Sequence, residues 1–167
     1  ASLVDFLGKE IDLKEELEVS CFYQQVSKVL KVEGIDLDVV VDLCAGNLLN
    51  SVLWLVNGYN VYAVDNQETR LARKVGSRIG INYLDSFTYS NWDINKDNFD
   101  SYVKGIVEKY NGNCVITAIH ACGGLIDRII SIAAQNNLPF AVVPCCYTNS
   151  DSNLKYFSSV GDYIDCM

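Results

Sequence analysis

Five short apolar runs, at 39–41, 61–64, 81–84, 114–119 and 140–143, alternate with stretches of helical periodicity along the chain. This alternation limits the possible folds more than any other feature. Runs that are continuously apolar, rather than alternating, suit strands covered on both faces. Between and before them, residues 14–32 place Phe22, Val26, Val29 and Leu30 at helical spacing. Residues 48–56 form a second helical pattern stopped by Gly58, and 69–77 a third. Phe99, Tyr102, Val103, Ile106, Val107 and Tyr110 make a stripe closed by Asn111-Gly112, and 125–134 make a fifth helix. Residues 88–97 read as polar loop. Strands alternating with helices imply right-handed β-α-β units. The expectation is an α/β domain with one doubly wound, mostly parallel sheet of at least five strands, Rossmann-like. After the fifth run only a brief helix at 153–158 and a last strand at 163–166 are expected, which leaves a reduced C-terminal edge.

The 167 residues, half of them apolar, suffice for one domain with a core of its own. No apolar run approaches the roughly 20 residues of a membrane span, so a soluble chain without membrane attachment is expected. Asp5, Lys9, Glu10 and Asp12 interrupt anything resembling a signal peptide. The seven cysteines are odd in number and irregular in spacing, and most lie in apolar runs, as expected for reduced thiols in a cytoplasmic protein. A net charge of −8 argues against gripping a phosphate backbone unaided. Arg70, Arg73, Lys74 and Arg78 share one helical face as the local exception. Weak RNA binding by the chain alone is therefore expected.

In a doubly wound sheet the ligand lies beyond the carboxyl ends of the strands. The residues to inspect are thus 42–47, 65–66, 85–87, 120–124 and 144–147. The first run ends in Asp42 and a turn of small residues, Cys44-Ala45-Gly46, that lets backbone approach a ligand closely. The second ends in Asp65, followed by Asn66. An acid about 20 residues past the turn is placed to accept from ribose hydroxyls. The third run ends in Asp85-Ser86, where a carboxylate could take an adenine amine. Ribose and adenine recognition without a basic phosphate cradle points to an adenosine ligand.

On these residues the chain resembles the class I S-adenosylmethionine-dependent methyltransferases. Asp42 and Gly46 fit that family's acid-x-G-x-G-x-G turn, while Cys44 and Leu48 stand at its other glycine positions. His120-x-Cys122-Gly123, with Asp127 seven residues after the histidine, and Cys145-Cys146-Tyr147 after the fifth run resemble one branch in particular. That branch holds the tRNA 2′-O-methyltransferases of the acceptor stem and related methyltransferase-like proteins; the zinc-finger segment of the tRNA enzymes has no counterpart here. The resemblance implies a single methyltransferase-like domain over 1–167. It divides into a helical cap at 1–35, a cofactor-binding core at 36–147 and a C-terminal edge at 148–167. It implies S-adenosyl-L-methionine as cofactor, with Asp65 and Asn66 at the ribose, Asp85 and Ser86 at the adenine, and Asp42, Cys44, Ala45 and Gly46 at the methionine end. His120 would lie beside both sulfonium and acceptor, with Cys146 and Tyr147 on the acceptor side.

His120, Cys122, Cys145 and Cys146 admit four readings. A metal site would need all four to converge on one ion, which vicinal cysteines serve badly. A redox pair would need Cys-x-x-Cys spacing or an activated thiolate. Covalent thiol catalysis would need His120 to activate Cys122 or Cys146. In the fourth reading the cysteines are pocket walls, and His120 is a general base or an orienting donor. No metal is expected. Tyr147 could stack on a flat acceptor or pack at the sheet edge, and Tyr23 and Gln24 could close over the ligand. The expected function is methyl transfer to an unidentified acceptor, RNA or protein. The alternative is a non-catalytic module of the same fold that binds a partner subunit, favoured by the two replaced glycines.

Overall fold

The computed structural model of the protein describes residues 12–144. Residues 145–147, the helix expected at 153–158 and the strand expected at 163–166 lie outside the described residues.

Helix α1 (Leu13–Val32) opens the described chain, with the Asp12 carboxylate accepting from the Lys14 N–H at its start. There follow β1 (Val39–Leu43), α2 (Leu49–Val56), β2 (Asn60–Asp65), α3 (Arg70–Asn82), β3 (Phe87–Asn91), α4 (Phe99–Lys109), β4 (Cys114–Ala121), α5 (Gly124–Gln135) and β5 (Phe140–Pro144). The strands form one sheet in the order β3-β2-β1-β4-β5, and every pairing is parallel. The expected doubly wound architecture is therefore the observed one.

Alternation along β1 divides the core in two. Val40 packs with α1, α2 and α3 through Leu30, Val52, Trp54, Val75 and Ile79. Val39, Val41 and Leu43 face α4 and α5 through Phe99, Val103, Ile129 and Ile132. All five residues of β1 are buried, as a central strand covered on both faces requires.

The third strand departs from expectation. Residues 81–84 do not form it: α3 runs on to Asn82, and the Tyr83 N–H still bonds the Ile79 carbonyl. The strand is Phe87–Asn91, all but its first residue inside the stretch expected to be loop. Among the described residues it is an edge strand, paired to β2 alone. An edge strand buries less than a central one, so Thr88, Ser90 and Asn91 are tolerated where a continuous apolar run was sought. Smaller shifts are physical as well. Strand β4 extends to Ala121 and passes through an irregularity between Ile119 and Ala121. Helix α2 begins after Leu48, which is left-handed.

Candidate functional site

The turn after β1 is the best-built strand end. Cys44, Gly46 and Leu48 have φ of +57°, +50° and +66°, while Ala45 and Asn47 between them are not left-handed. The backbone thus takes the glycine conformation at all three alternating positions, although only one of them is glycine. A left-handed non-glycine residue costs about 1–2 kcal/mol. Such strain persists only where the surroundings enforce it. Here they do. The Ala45 N–H bonds the Val64 carbonyl, the Gly46 N–H bonds Asp65 Oδ2 at 2.9 Å, and the Leu48 N–H bonds the Ala45 carbonyl. The left-handed turn also sends the Leu48 side chain into the core, where it is 2% exposed. There it belongs to the core cluster that includes Val52, Ala72 and Val75.

Asp42 lies beneath this turn and is buried, so its carboxylate reaches no ligand directly. It receives Asn50 Nδ2 at 2.7 Å, Ser51 Oγ at 2.5 Å and Thr117 Oγ1 at 3.1 Å, which ties β1 to α2 and β4. Asn50 in turn accepts from Trp54 Nε1 at 3.1 Å. Burial pushes the Asp42 carboxyl up to about 6, against the lowering by its donors Ser51, Asn50 and Thr117. Its role is to hold the turn.

Asp65 closes β2 at the same end of the sheet. Its Oδ2 takes the Gly46 N–H, and its Oδ1 takes the Gln67 N–H at 2.8 Å. An ionised carboxylate has about four acceptor positions, so both oxygens keep capacity for a hydroxyl donor. Asn66 next to it is exposed. Beyond β3 the corresponding acid is Asp93, not Asp85. Asp85 and Ser86 precede β3, and Ser86 accepts from the Val61 N–H at the amino end of β2. They sit at the opposite end of the sheet from Asp65, so they cannot share its ligand. Asp93 was missed because 88–97 was read as loop. The signal was the β-prone Phe87-Thr88-Tyr89, followed within a few residues by an acid.

The loop bearing Asp93 is well anchored. Asp93 Oδ1 accepts from the Asn95 N–H, and the Trp92 N–H bonds the Asp65 carbonyl. From α5, Arg128 donates through Nε to the Ile94 carbonyl at 2.9 Å and pairs with Asp100 of α4 at 3.0 Å.

The Cys44 thiol registers the field in this corner. Burial first, then Asp65, Asp42 and Asp93, push it up to about 11. It is therefore no thiolate at neutral pH, and the corner is electronegative, suited to a cationic ligand. Burial also pushes Cys114 up to about 11, so neither free thiol among the described residues is an activated nucleophile. Cys21 and Cys122 are both disulfide-bonded, unlike the reduced thiols expected from the apolar runs in which most cysteines lie. Among the described residues no group of His, Cys, Asp or Glu could hold a metal ion. No helix among them is long and apolar enough to cross a membrane.

His120 stands at the irregular end of β4 with φ +64°, and its Nε2 is 3.1 Å from Glu18 Oε2 of α1. Gly123 after it has φ +57° with ψ −134°, and Asp127 is exposed in the first turn of α5. Glu18 was not anticipated, and neither was Glu15. Glu15 accepts from Asn47 Nδ2 at 3.1 Å, while Asn47 Oδ1 accepts from Thr69 Oγ1 at 2.8 Å. Helix α1 therefore touches both the β1 and the β4 strand-end turns. Tyr23 instead packs edge-on against Trp54, with ring centroids 4.7 Å apart, and Gln24 is exposed. Cys146 and Tyr147 lie outside the described residues.

Residues 14–152 match the family model described as a methyltransferase domain. No curated protein matches the sequence. Among solved structures, magnesium protoporphyrin IX methyltransferase from Synechocystis PCC 6803 with bound SAH superposes with a TM-score of 0.48 at 14% identity. The alignment covers 80% of this chain and 60% of that one, so the present chain spans less than two thirds of it.

Proposed function

The chain belongs to the methyltransferase-domain family, and from that premise we propose that it is an enzyme using S-adenosyl-L-methionine to methylate an RNA or protein acceptor. One observation carries the reading. The turn 42–48 keeps the left-handed conformation at all three alternating positions and leans on Asp65, beside Asp93 in an electronegative corner. That corner fits a cationic adenosyl ligand. Asp65 would accept from the ribose hydroxyls, Asp93 would take the adenine side, and Cys44, Ala45 and Gly46 would lie under the methionine end. Asn66 flanks the ribose. The bound cofactor supplies an activated methyl on a positive sulfur. The protein's part is alignment and exclusion of water. His120 and the residues that follow β5, Cys146 and Tyr147 among them, belong to the acceptor side in this reading. The tRNA 2′-O-methyltransferase branch is one candidate within it, supported by His120-x-Cys122-Gly123 and Cys145-Cys146-Tyr147.

The replaced glycines no longer favour a degenerate, non-catalytic module, because Cys44 and Leu48 hold the glycine backbone conformation. Calorimetric titration with S-adenosylmethionine and its demethylated product tests the proposal. Binding is expected, and Asp65→Ala should weaken it at least tenfold. Asp65→Asn keeps an acceptor for the Gly46 N–H and controls for loss of the turn itself. Absence of heat at millimolar cofactor would refute the reading. Transfer of labelled methyl into the nuclease-sensitive or protease-sensitive fraction of a cell extract then separates RNA from protein acceptors.

A further inference from the structure

Helix α1 brings a carboxylate to the only histidine of the chain across 102 residues of sequence. We propose that Glu18 is a positioning residue that fixes His120 as a general base acting through Nδ1, for an acceptor that gives up a proton on methylation; this rests on the methyltransferase reading above.

Three observations converge on it. The contact is made by Nε2, 3.1 Å from Glu18 Oε2. A carboxylate can only accept, so Nε2 carries the hydrogen and Nδ1 is left with the lone pair in the neutral ring. The backbone at His120 is left-handed and lies at the break in register between β4 and β5. A histidine held in that conformation at a strand end marks a functional constraint more readily than a packing one. Finally, both partners keep solvent access, with the His120 side chain 48% and the Glu18 side chain 37% exposed. A pair so exposed adds little to folding by itself. Lys14, one turn earlier on α1, pairs with the other Glu18 oxygen at 3.6 Å.

The proton balance is simple. As the acceptor atom takes the methyl group, its bond to hydrogen breaks and the proton passes to Nδ1. The resulting imidazolium is stabilised by Glu18, and the electron pair of the former carbon–sulfur bond stays on sulfur. This parallels the general role of a carboxylate that orients a histidine base without itself becoming protonated.

Because the chain has one histidine, its imidazole nitrogens can be read without ambiguity. Long-range proton–nitrogen correlation on the 15N-labelled protein, at a pH where the ring is neutral, should show a single Nε2–H tautomer. Glu18→Gln should turn this into a mixture, and Glu18→Asp should restore part of the preference. In the methyl-transfer assay Glu18→Gln should lower kcat about tenfold with KM for the cofactor within twofold. A mixed tautomer in the native protein, or an unchanged one in Glu18→Gln, would overturn the inference. So would an equal fall in kcat for Glu18→Gln and Glu18→Asp. Failure of the native protein to bind S-adenosylmethionine would instead strike the methyltransferase reading, and the two failures are thereby separable.

Discussion

At position 42 a carboxylate is buried among three donors, and its ionisation is opposed by burial despite them. The folded-state value of about 6 exceeds the ordinary 3.8, so the native protein holds this proton more tightly than the unfolded chain. Stability from this group therefore falls as pH rises from about 4 to about 6 and stays flat above. Asp42→Asn lacks the titration. The gap in unfolding free energy between variant and native should shift, in the variant's favour, by on the order of 3 kcal/mol from pH 4 to pH 7. Urea unfolding at the two pH values measures it, and a constant gap would contradict the assignment. At position 44 the left-handed backbone sets opposite outcomes for two substitutions. Cys44→Gly should be within about 1 kcal/mol of native or more stable. Cys44→Val should cost about 2 kcal/mol or more, since a β-branched residue is worst at positive φ. Thermal melts of the pair decide between them.

Helix α1 and the loop after β3 are the elements that shape the site, and each was legible to a different degree. The apolar spacing of Phe22, Val26, Val29 and Leu30 announces α1, and Phe22 and Leu30 are buried as expected, but Val29 is 53% exposed. Nothing in that spacing says that Glu15 and Glu18 reach Asn47 and His120. Those contacts depend on where the whole helix lands. The β3 edge was illegible for another reason: Thr88, Ser90 and Asn91 do not resemble a central strand, and Ile81 to Leu84 look apolar enough to replace it. Asp85 and Asp93 exchanged roles in consequence. Arg128 tests the loop directly. Arg128→Ala removes a charged hydrogen bond to the Ile94 carbonyl and the pair with Asp100. It should cost about 2 kcal/mol and speed amide exchange at 92–98 ahead of the rest of the chain. Uniform exchange across α4 and the loop would contradict a local clamp.

Over the whole molecule, net charge and site charge point the same way. A net −8 and three acids around the Cys44 turn favour a cationic ligand and disfavour a naked polyanion. The basic residues Arg70, Arg73, Lys74 and Arg78 all lie on α3, and Arg73 is already paired with Glu68 at 3.0 Å. Any RNA acceptor should therefore bind the isolated chain more weakly than about 1 μM at physiological salt. Filter binding over a salt series checks this, and submicromolar affinity would contradict it.

Alternating strand and helix patterns were enough to specify a parallel doubly wound sheet, because burial on both faces writes itself into local sequence as continuous apolar runs. The same runs located the turn at 42–48, Asp65 and the strand carrying His120. Tertiary structure alone decided that Leu48 points inward, that Asp42 supports rather than binds, that Asp93 and not Asp85 shares the crevice, and that Glu18 meets His120. Each of these depends on backbone handedness or on pairing between distant segments, and neither leaves a periodic trace in the residues themselves.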